Sequence, residues 1–524
     1  MNWGIVKTEL VLKVFFFCFA LGTSIFFTGN NLRAKFGPID DHEIVNWLGP
    51  NHKIMITQIP AILANTELSQ YGRYARYRPS YYVLRVGETY LWRDNTSLWY
   101  LARLVMFAVF VFIALSLITK YTCWPVAVFA LLSILAQVYW GDILSRLGPS
   151  EIYAIFGISL YFFGFDYLWN NKRNVPKLAW ISYFFGFIIA VGSKENFSFL
   201  TLFTIILMIK FWFSKNLNLK IILINIIMII YSFLIFLSII LNTISTKSDI
   251  YGTNVSLTDR AQSFINMIIT MIPEGSKKEF LVITLVLIFL IISKTPVNKI
   301  KEIALLSLKY SFLIVNLFGI GFFQYIYYGA IFPTNLRYDF PLLLIPTLLL
   351  VIFSKYIAKL LKLIGVKYST YISYIVCIMA LFLYIKPVNF TKIHENSKQN
   401  VIMTTTFMNK LQSDARELRL NVNYPLIINS TRPIDYEVIT SLQRYLNYLG
   451  IKNTIHLRYE SKMEDRISPL GKQLDERLFA LSTTGRSEYF QGFTQYTDNL
   501  LNSPCYTISI GYKANIGCTD LNTY

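Results

Sequence analysis

Charge is scarce in this sequence: of its 524 residues only 15% are Asp, Glu, Lys or Arg, while 54% are hydrophobic. A soluble protein of this length has no need of so much apolar surface. Cysteine is scarce too. There are five, with no CxxC pair, which argues against a zinc site. Cys18, Cys123 and Cys377 lie in apolar runs and read as packing residues. Cys505 and Cys518 lie in the polar C-terminal part and would bridge if that part is extracytoplasmic. The chain has no repeat of fixed period and no low-complexity tract. No small-residue cleavage site follows the first apolar run, so the N-terminus does not read as a secretory signal peptide.

What is present is apolar runs, recurring from end to end with a mean hydropathy of +0.46. Each is long enough to cross about 30 Å of hydrocarbon. The reading is an α-helical polytopic membrane protein with about eleven spanning helices. Their expected positions are 10–28, 97–118, 122–143, 151–169, 178–194, 197–213, 218–241, 279–293, 304–326, 340–357 and 369–386. The net charge of +19 then marks cytoplasmic helix ends and anionic lipid rather than nucleic acid. Lys7, Lys120, the Lys172–Lys177 cluster, Lys215 with Lys220, Lys294 to Lys301 and Lys355 to Lys367 fall in alternate connections. That alternation puts the N-terminus in the cytoplasm and, with an odd number of spans, the C-terminal region outside.

The outer set comprises the long segment 29–96, the turn 144–151, the neighbourhood of Lys194, the loop 243–278, the turn 328–339 and residues 388–524. In the first segment, "EIVNWLG" and "KIMITQIPAILANTELSQY" have helical apolar spacing and are expected to lie along the membrane surface, as is "TDRAQSFINMIITMIP" in the later loop. Residues 388–524 are polar. There "YPLIINST", "DYEVITSLQRYLNYLG" and "NTIHLRY" read as strand, helix and strand, with Gly450 closing the helix. The expected division is therefore a membrane catalytic domain over 1–387 and a small α/β domain over 388–524.

With that topology the polar residues gather on one side. "GPIDDHEIVNWLG" supplies Asp40, Asp41, His42 and Glu43; "YGRYARYRPSYY" supplies Arg73, Arg76 and Arg78. "RLGPSE" supplies Arg146 and Glu151, "GSKENF" supplies Lys194 and Glu195, and "PTNLRYDFP" supplies Arg337, Tyr338 and Asp339. Each has a plain structural reading: an N-cap for the Asp pair, a headgroup anchor for the Arg–Tyr stretch and for Arg337 with Tyr338, a helix-terminal carboxylate for Glu151, a local charge pair for Lys194 and Glu195. Jointly, five segments deliver complementary charges to one face. Arg and Lys hold phosphate, a carboxylate deprotonates a hydroxyl, and cations stabilise a phosphate leaving group. This is the chemistry of sugar transfer from a lipid phosphate.

On those residues the whole chain resembles the GT-C superfamily of polytopic glycosyltransferases. "DDHE" is similar to its acidic motif in the first outer loop, and "SKENF" to a Lys-Glu motif of bacterial members. "RLGPSE" and "RYDFP" are similar to sequences in bacterial relatives. Size and helix count resemble the phage-type glucosyltransferases that decorate O-antigen and convert serotype. The resemblance implies a multi-pass protein of the bacterial inner membrane with a periplasmic active site. The implied donor is an undecaprenyl-phosphate sugar, glucose being the expectation, and the acceptor a glycan such as lipid-linked O-antigen. It implies Asp41 or Asp40 as catalytic base in an inverting single displacement, Asp41 being slightly favoured. Lys194, Glu195, Arg337, Arg76, Arg78 and Tyr338 would contact the donor phosphate or sugar, with His42, Glu43 and Glu151 accessory. No metal is expected to be obligatory, although Asp, His and Glu together suit a divalent ion. The competing readings are a flippase for lipid-linked sugar, a protein- or lipid-A-directed transferase of the same superfamily, and a non-catalytic scaffold. A transporter should carry charged or broken helices at mid-membrane, and the mid-helix positions here are almost entirely apolar.

Overall fold

A computed structural model describes residues 3–69, 71, 76–170, 175–213, 219–246, 258, 262, 265, 300–327, 337–363, 365–460, 469–485, 492–511 and 516–524. The span expected at 279–293, most of the surface helix expected in 243–278, and Arg73 lie outside the described residues.

The helix bundle contains α1 (Trp3–Thr28), α5 (Thr96–Tyr121), α6 (Trp124–Leu135), α7 (Tyr139–Ser145), α8 (Glu151–Asn170), α9 (Lys177–Ser193), α10 (Leu200–Phe213) and α11 (Leu219–Thr246), then α12 (Ile300–Tyr327), α13 (Ile345–Leu363) and α14 (Ser369–Phe382). Between α1 and α5 run three shorter helices, α2 (His42–Leu48), α3 (Ile59–Ala64) and α4 (Pro79–Trp92). Among the described residues, five helices are long and apolar enough to cross a bilayer, or up to seven if two bent pairs are each one span. The chain is a helical membrane protein. Apolar side chains such as Leu10, Val11, Val14, Phe233 and Phe213 stand exposed along these helices, as lipid-facing residues do.

The run 122–143 is not one straight span. It breaks after Leu135 and turns by 77° into α7. The freed carbonyls find side chains: Gln137 Nε2 donates to Ser133 O, Trp140 Nε1 to Ile134 O, and Asn389 Nδ2 to Ala136 O at 2.7 Å. Backbone groups freed by a break in an apolar run must find partners, and here side chains supply them; a broken helix is also a feature expected of a transporter. α14 likewise bends by 52° into α15 (Pro387–Leu420), a mostly polar helix of 34 residues.

Beyond α15 lies a four-stranded, all-parallel sheet of β1 (Leu426–Ser430), β2 (Ile455–Tyr459), β3 (Tyr506–Ser509) and β4 (Thr519–Thr523), in the order β2-β1-β3-β4. α16 (Tyr436–Tyr448) connects β1 to β2 at the positions the sequence suggests, and α17 (Pro469–Thr484) packs against β2. β1 is buried along its whole length, as expected of a parallel strand covered on both faces. Cys505 and Cys518 are joined in a disulfide beside β3 and β4.

The described residues form two hydrophobic cores. One fills the helix bundle. The other joins the sheet and α16 to Ala34, Phe36, Ile44, Val45 and Leu48, and to Trp99, Leu147 and Phe407. The apolar face of α2, expected to meet lipid, is instead covered: Ile44 and Val45 are fully buried in the seat on which α16 packs. α3 and the turn before it do leave Met55 and Ile56 exposed.

Candidate functional site

The acidic turn is built from both ends of the chain. Gly37 N–H donates to Asp41 Oδ2 at 2.7 Å, and Gly37 O accepts from Tyr445 Oη of α16 at 2.8 Å. Lys35 N–H donates to Thr404 Oγ1 of α15. Asp41 stands at the N-cap position of α2, yet its side chain makes no cap bond and folds back on Gly37 instead. It is 2% exposed. Asp40 has φ of +66°, the left-handed region, which costs a non-glycine residue free energy that the surroundings must repay. What this conformation achieves is to send the two adjacent carboxylates apart. Asp41 goes inward; Asp40, 26% exposed, goes into a cavity.

That cavity has a volume of about 290 Å³. Asp40, His42 and Glu43 form one wall, Arg76 and Arg78 another, with Glu151, Arg337 and Tyr338 from the ends of the membrane helices. Arg337 Nη1 donates to Asp40 Oδ2 at 3.0 Å, and Arg146 lies 3.7 Å from the same oxygen. Arg85 Nη2 holds the Asp40 carbonyl and Arg85 Nε lies 3.7 Å from Glu43. Gly148 is where the Asp40 side chain passes: a Cβ there would sit 2.1 Å from Asp40 Cβ. The glycine of "RLGPSE" is thus a condition of the site.

Lys194 and Glu195 do not line the cavity; they lie behind its walls. Lys194 Nζ donates to Glu151 Oε1 at 2.7 Å, and Glu195 Oε1 accepts from Arg78 Nε at 2.8 Å. Both pairs are nearly excluded from solvent. Removing one member of such a pair leaves an uncompensated charge, at a cost of about 3–5 kcal/mol.

The cavity also draws on residues that no sequence motif singles out. Tyr436, Glu437, Thr440 and Arg444 of α16 close the cavity from above, and Glu67, Tyr81 and Tyr82 line it from the first segment. Glu437, Thr440 and Arg444 recur at i, i+3 and i+7, one helix stripe, so the signal was present in the sequence. A second buried layer supports the floor. Arg103 makes a two-point contact with Glu88 at 2.8 and 2.9 Å, and Tyr153 Oη donates to the same carboxylate.

The electrostatics separate these groups. Burial would raise Asp40, but Arg337, Arg146 and Arg85 outweigh it and hold the carboxyl at about 2. Asp41, with burial dominant over Gly37 N–H and Arg85, is lifted to about 7. Burial likewise lifts Glu67 to about 7 against Arg78 and Arg76, and raises Glu43 against Arg85. Burial and the nearby Arg444 depress His42 to about 3, so it is neutral. Among the described residues no group of three or more His, Cys, Asp or Glu is arranged to hold a metal ion.

Fold and site together define a helical membrane protein with a strongly charged cavity where the helix bundle meets α16. Comparison with protein-family models, with curated proteins and with solved structures finds no match.

Proposed function

We propose that this chain is a membrane glycosyltransferase that moves a sugar from a polyprenyl-phosphate donor to a glycan acceptor. One observation carries the reading: a strained carboxylate, Asp40, enters a cavity edged by Arg76, Arg78 and Arg337 at the end of the helix bundle. Guanidinium groups suit a phosphate, the bundle suits a lipid tail, and the cap leaves room for a polar acceptor. The finer reading is that of the GT-C superfamily: about eleven spans, an N-terminus in the cytoplasm, and a periplasmic C-terminal α/β domain in the bacterial inner membrane. Glucose would be transferred to lipid-linked O-antigen.

In this mechanism the acceptor hydroxyl oxygen attacks the anomeric carbon as its proton passes to Asp40. The bond from that carbon to the phosphate oxygen breaks with its electron pair going to the phosphate, and configuration inverts. Asp40 rather than Asp41 is the base proposed here, because Asp41 is turned away and committed to Gly37. A carboxylate held at about 2 is a weak base. The remedy lies in Arg337, which holds Asp40 in the empty cavity. A donor phosphate competes for that guanidinium, loosens its grip and lets the carboxylate's basicity rise as the substrate arrives. Lys194 and Glu195 act by fixing Glu151 and Arg78, which in turn shape the phosphate side. No metal is needed where three arginines already face the leaving group.

The test is transfer of labelled sugar from polyprenyl phosphate in membranes, with product glycans compared in cells with and without the gene. Asp40→Asn is expected to lower turnover by about 10²-fold or more, the scale of general-base catalysis. Gly148→Ala is expected to act in the same direction by displacing Asp40. Full transfer by inserted Asp40→Asn protein would sink the base assignment. Movement of lipid-linked sugar between leaflets without product would favour a flippase.

A further inference from the structure

Behind the acidic turn lies a second cavity, of about 460 Å³, within the size range of small-ligand sites. It is separated from the first by the turn itself. Asp40 lines one cavity and Asp41 the other. Arg146 also lines this second space while its guanidinium lies 3.7 Å from Asp40 Oδ2. The opposite wall is α15, which presents Asn396, Gln399, Asn400 and Met403 as one helical stripe.

The polar groups here point to a ligand class. Asp41 spends Oδ2 on Gly37, and its buried Oδ1 has no hydrogen-bond partner. An orphaned carboxylate oxygen in a buried position calls for a donor. Asn396 and Gln399 offer carboxamide donors and acceptors, and Asn400 offers its Oδ1 as an acceptor, both of its N–H groups being committed. Asn400 Nδ2 is held by Asn31 Oδ1 and Tyr100 Oη, which fixes that amide in place. Arg146 is the one cation among the residues lining this space, against Arg76, Arg78, Arg337 and Arg444 around the first, so a phosphate is better matched there. Pro38, Ile39 and Ile402 supply an apolar wall. Hydroxyl-matching amides, a carboxylate lacking a donor, and an apolar surface fit a neutral pyranose, with hydroxyls on its edge and C–H groups on its face. An alkyl chain would leave Asp41 Oδ1 unsatisfied.

We infer that this second cavity is the acceptor subsite, taking one neutral hexopyranose unit of the acceptor glycan and presenting its hydroxyl to Asp40 past Arg146. The inference rests on the transferase reading above. Donor and acceptor then occupy opposite sides of one two-residue turn, Asp40 serving the reaction and Asp41 the acceptor.

The experiment uses full-length protein in nanodiscs and methyl glycosides of glucose, galactose, rhamnose and N-acetylglucosamine, read by saturation-transfer NMR and as acceptors. At least one glycoside is expected to bind. Met403→Trp, which fills the cavity from its exposed rim, and Asp41→Asn, which puts an amide N–H where an acceptor is needed, are each expected to weaken that binding and raise the acceptor KM by about tenfold, in the second case the scale of one hydrogen bond left unmade. The donor KM is expected to stay put. Met403→Trp keeps the test valid if Asp41→Asn fails to fold. Wild-type binding and acceptor KM in folded variants would overturn the subsite while leaving the transferase reading intact, as would Met403-dependent binding of a long-chain alcohol in place of any glycoside. A wild-type protein that transfers no sugar would overturn the transferase reading, and the acceptor role with it.

Discussion

Burial lifts Asp41 to about 7, from the ordinary 3.8 of its side chain. A carboxyl that binds its proton more tightly folded than unfolded adds stability that is complete below the unfolded value and lost as pH rises through the folded one. The window therefore runs from about pH 4 to about pH 7. Melting temperature in detergent is expected to fall across it, and Asp41→Asn to flatten the fall. Glu67, also held at about 7, titrates in the same window, so some slope should remain; identical slopes for the two proteins would refute the assignment. At this scale the sequence was informative about residue types and silent about direction. That "DDHE" concentrates acid beside a membrane was legible. Which aspartate enters the cavity was not, because it depends on the left-handed backbone of Asp40 and on Gly148, more than a hundred residues away. The burial of Arg85 and Arg103 is hidden in the sequence for a similar reason: Asp40 O and Leu147 O reach Arg85, and Glu88 and Tyr153 reach Arg103, only in the fold.

At the scale of elements, the close approach of α8 and α9 sets the Glu151 side of the cavity. A Cβ on Gly164 would lie 2.4 Å from Ala179 O, and one on Gly186 2.3 Å from Tyr161 N. Small residues let the two backbones touch, the usual device of membrane helix pairs. The start of α8 and the end of α9 then bring Glu151 and Lys194 together. Gly164→Val is expected to force the helices apart and cost about 1–3 kcal/mol, seen as lower monodisperse yield and melting temperature. Unchanged melting would mean that the pair tolerates separation. Apolar length made most helices readable from sequence. The break at 136–138 was not, because the carbonyls freed there are met in part by Asn389, far along the chain. The amphipathic stripe of α16 was readable as a helix, but its polar face acquires meaning only from the cavity beneath it.

Over the whole molecule, the division between membrane part and C-terminal part is less sharp than the composition suggests. Phe36, Ile44, Val45 and Leu48 from the first segment share a core with β1, β2, β3 and α16. Truncation of residues 424–524 is thus expected to do more than remove a neighbour. It should strip the cover from α2, release Gly37 from Tyr445, abolish transfer and open residues 34–48 to protease, while the bundle still inserts. A truncated chain with full turnover would show that the acidic turn holds itself.

The Gly37–Tyr445 hydrogen bond has a consequence for biosynthesis. Its partners are 408 residues apart. At about 5–20 residues per second, the acidic turn emerges tens of seconds before the tyrosine that fastens it has been made. Throughout that interval the nascent protein has its carboxylates and several of its arginines but no finished pocket. On the transferase reading proposed above, activity would be deferred until Tyr445 has been made, and a half-made copy in the membrane would have no means of spending lipid-linked sugar.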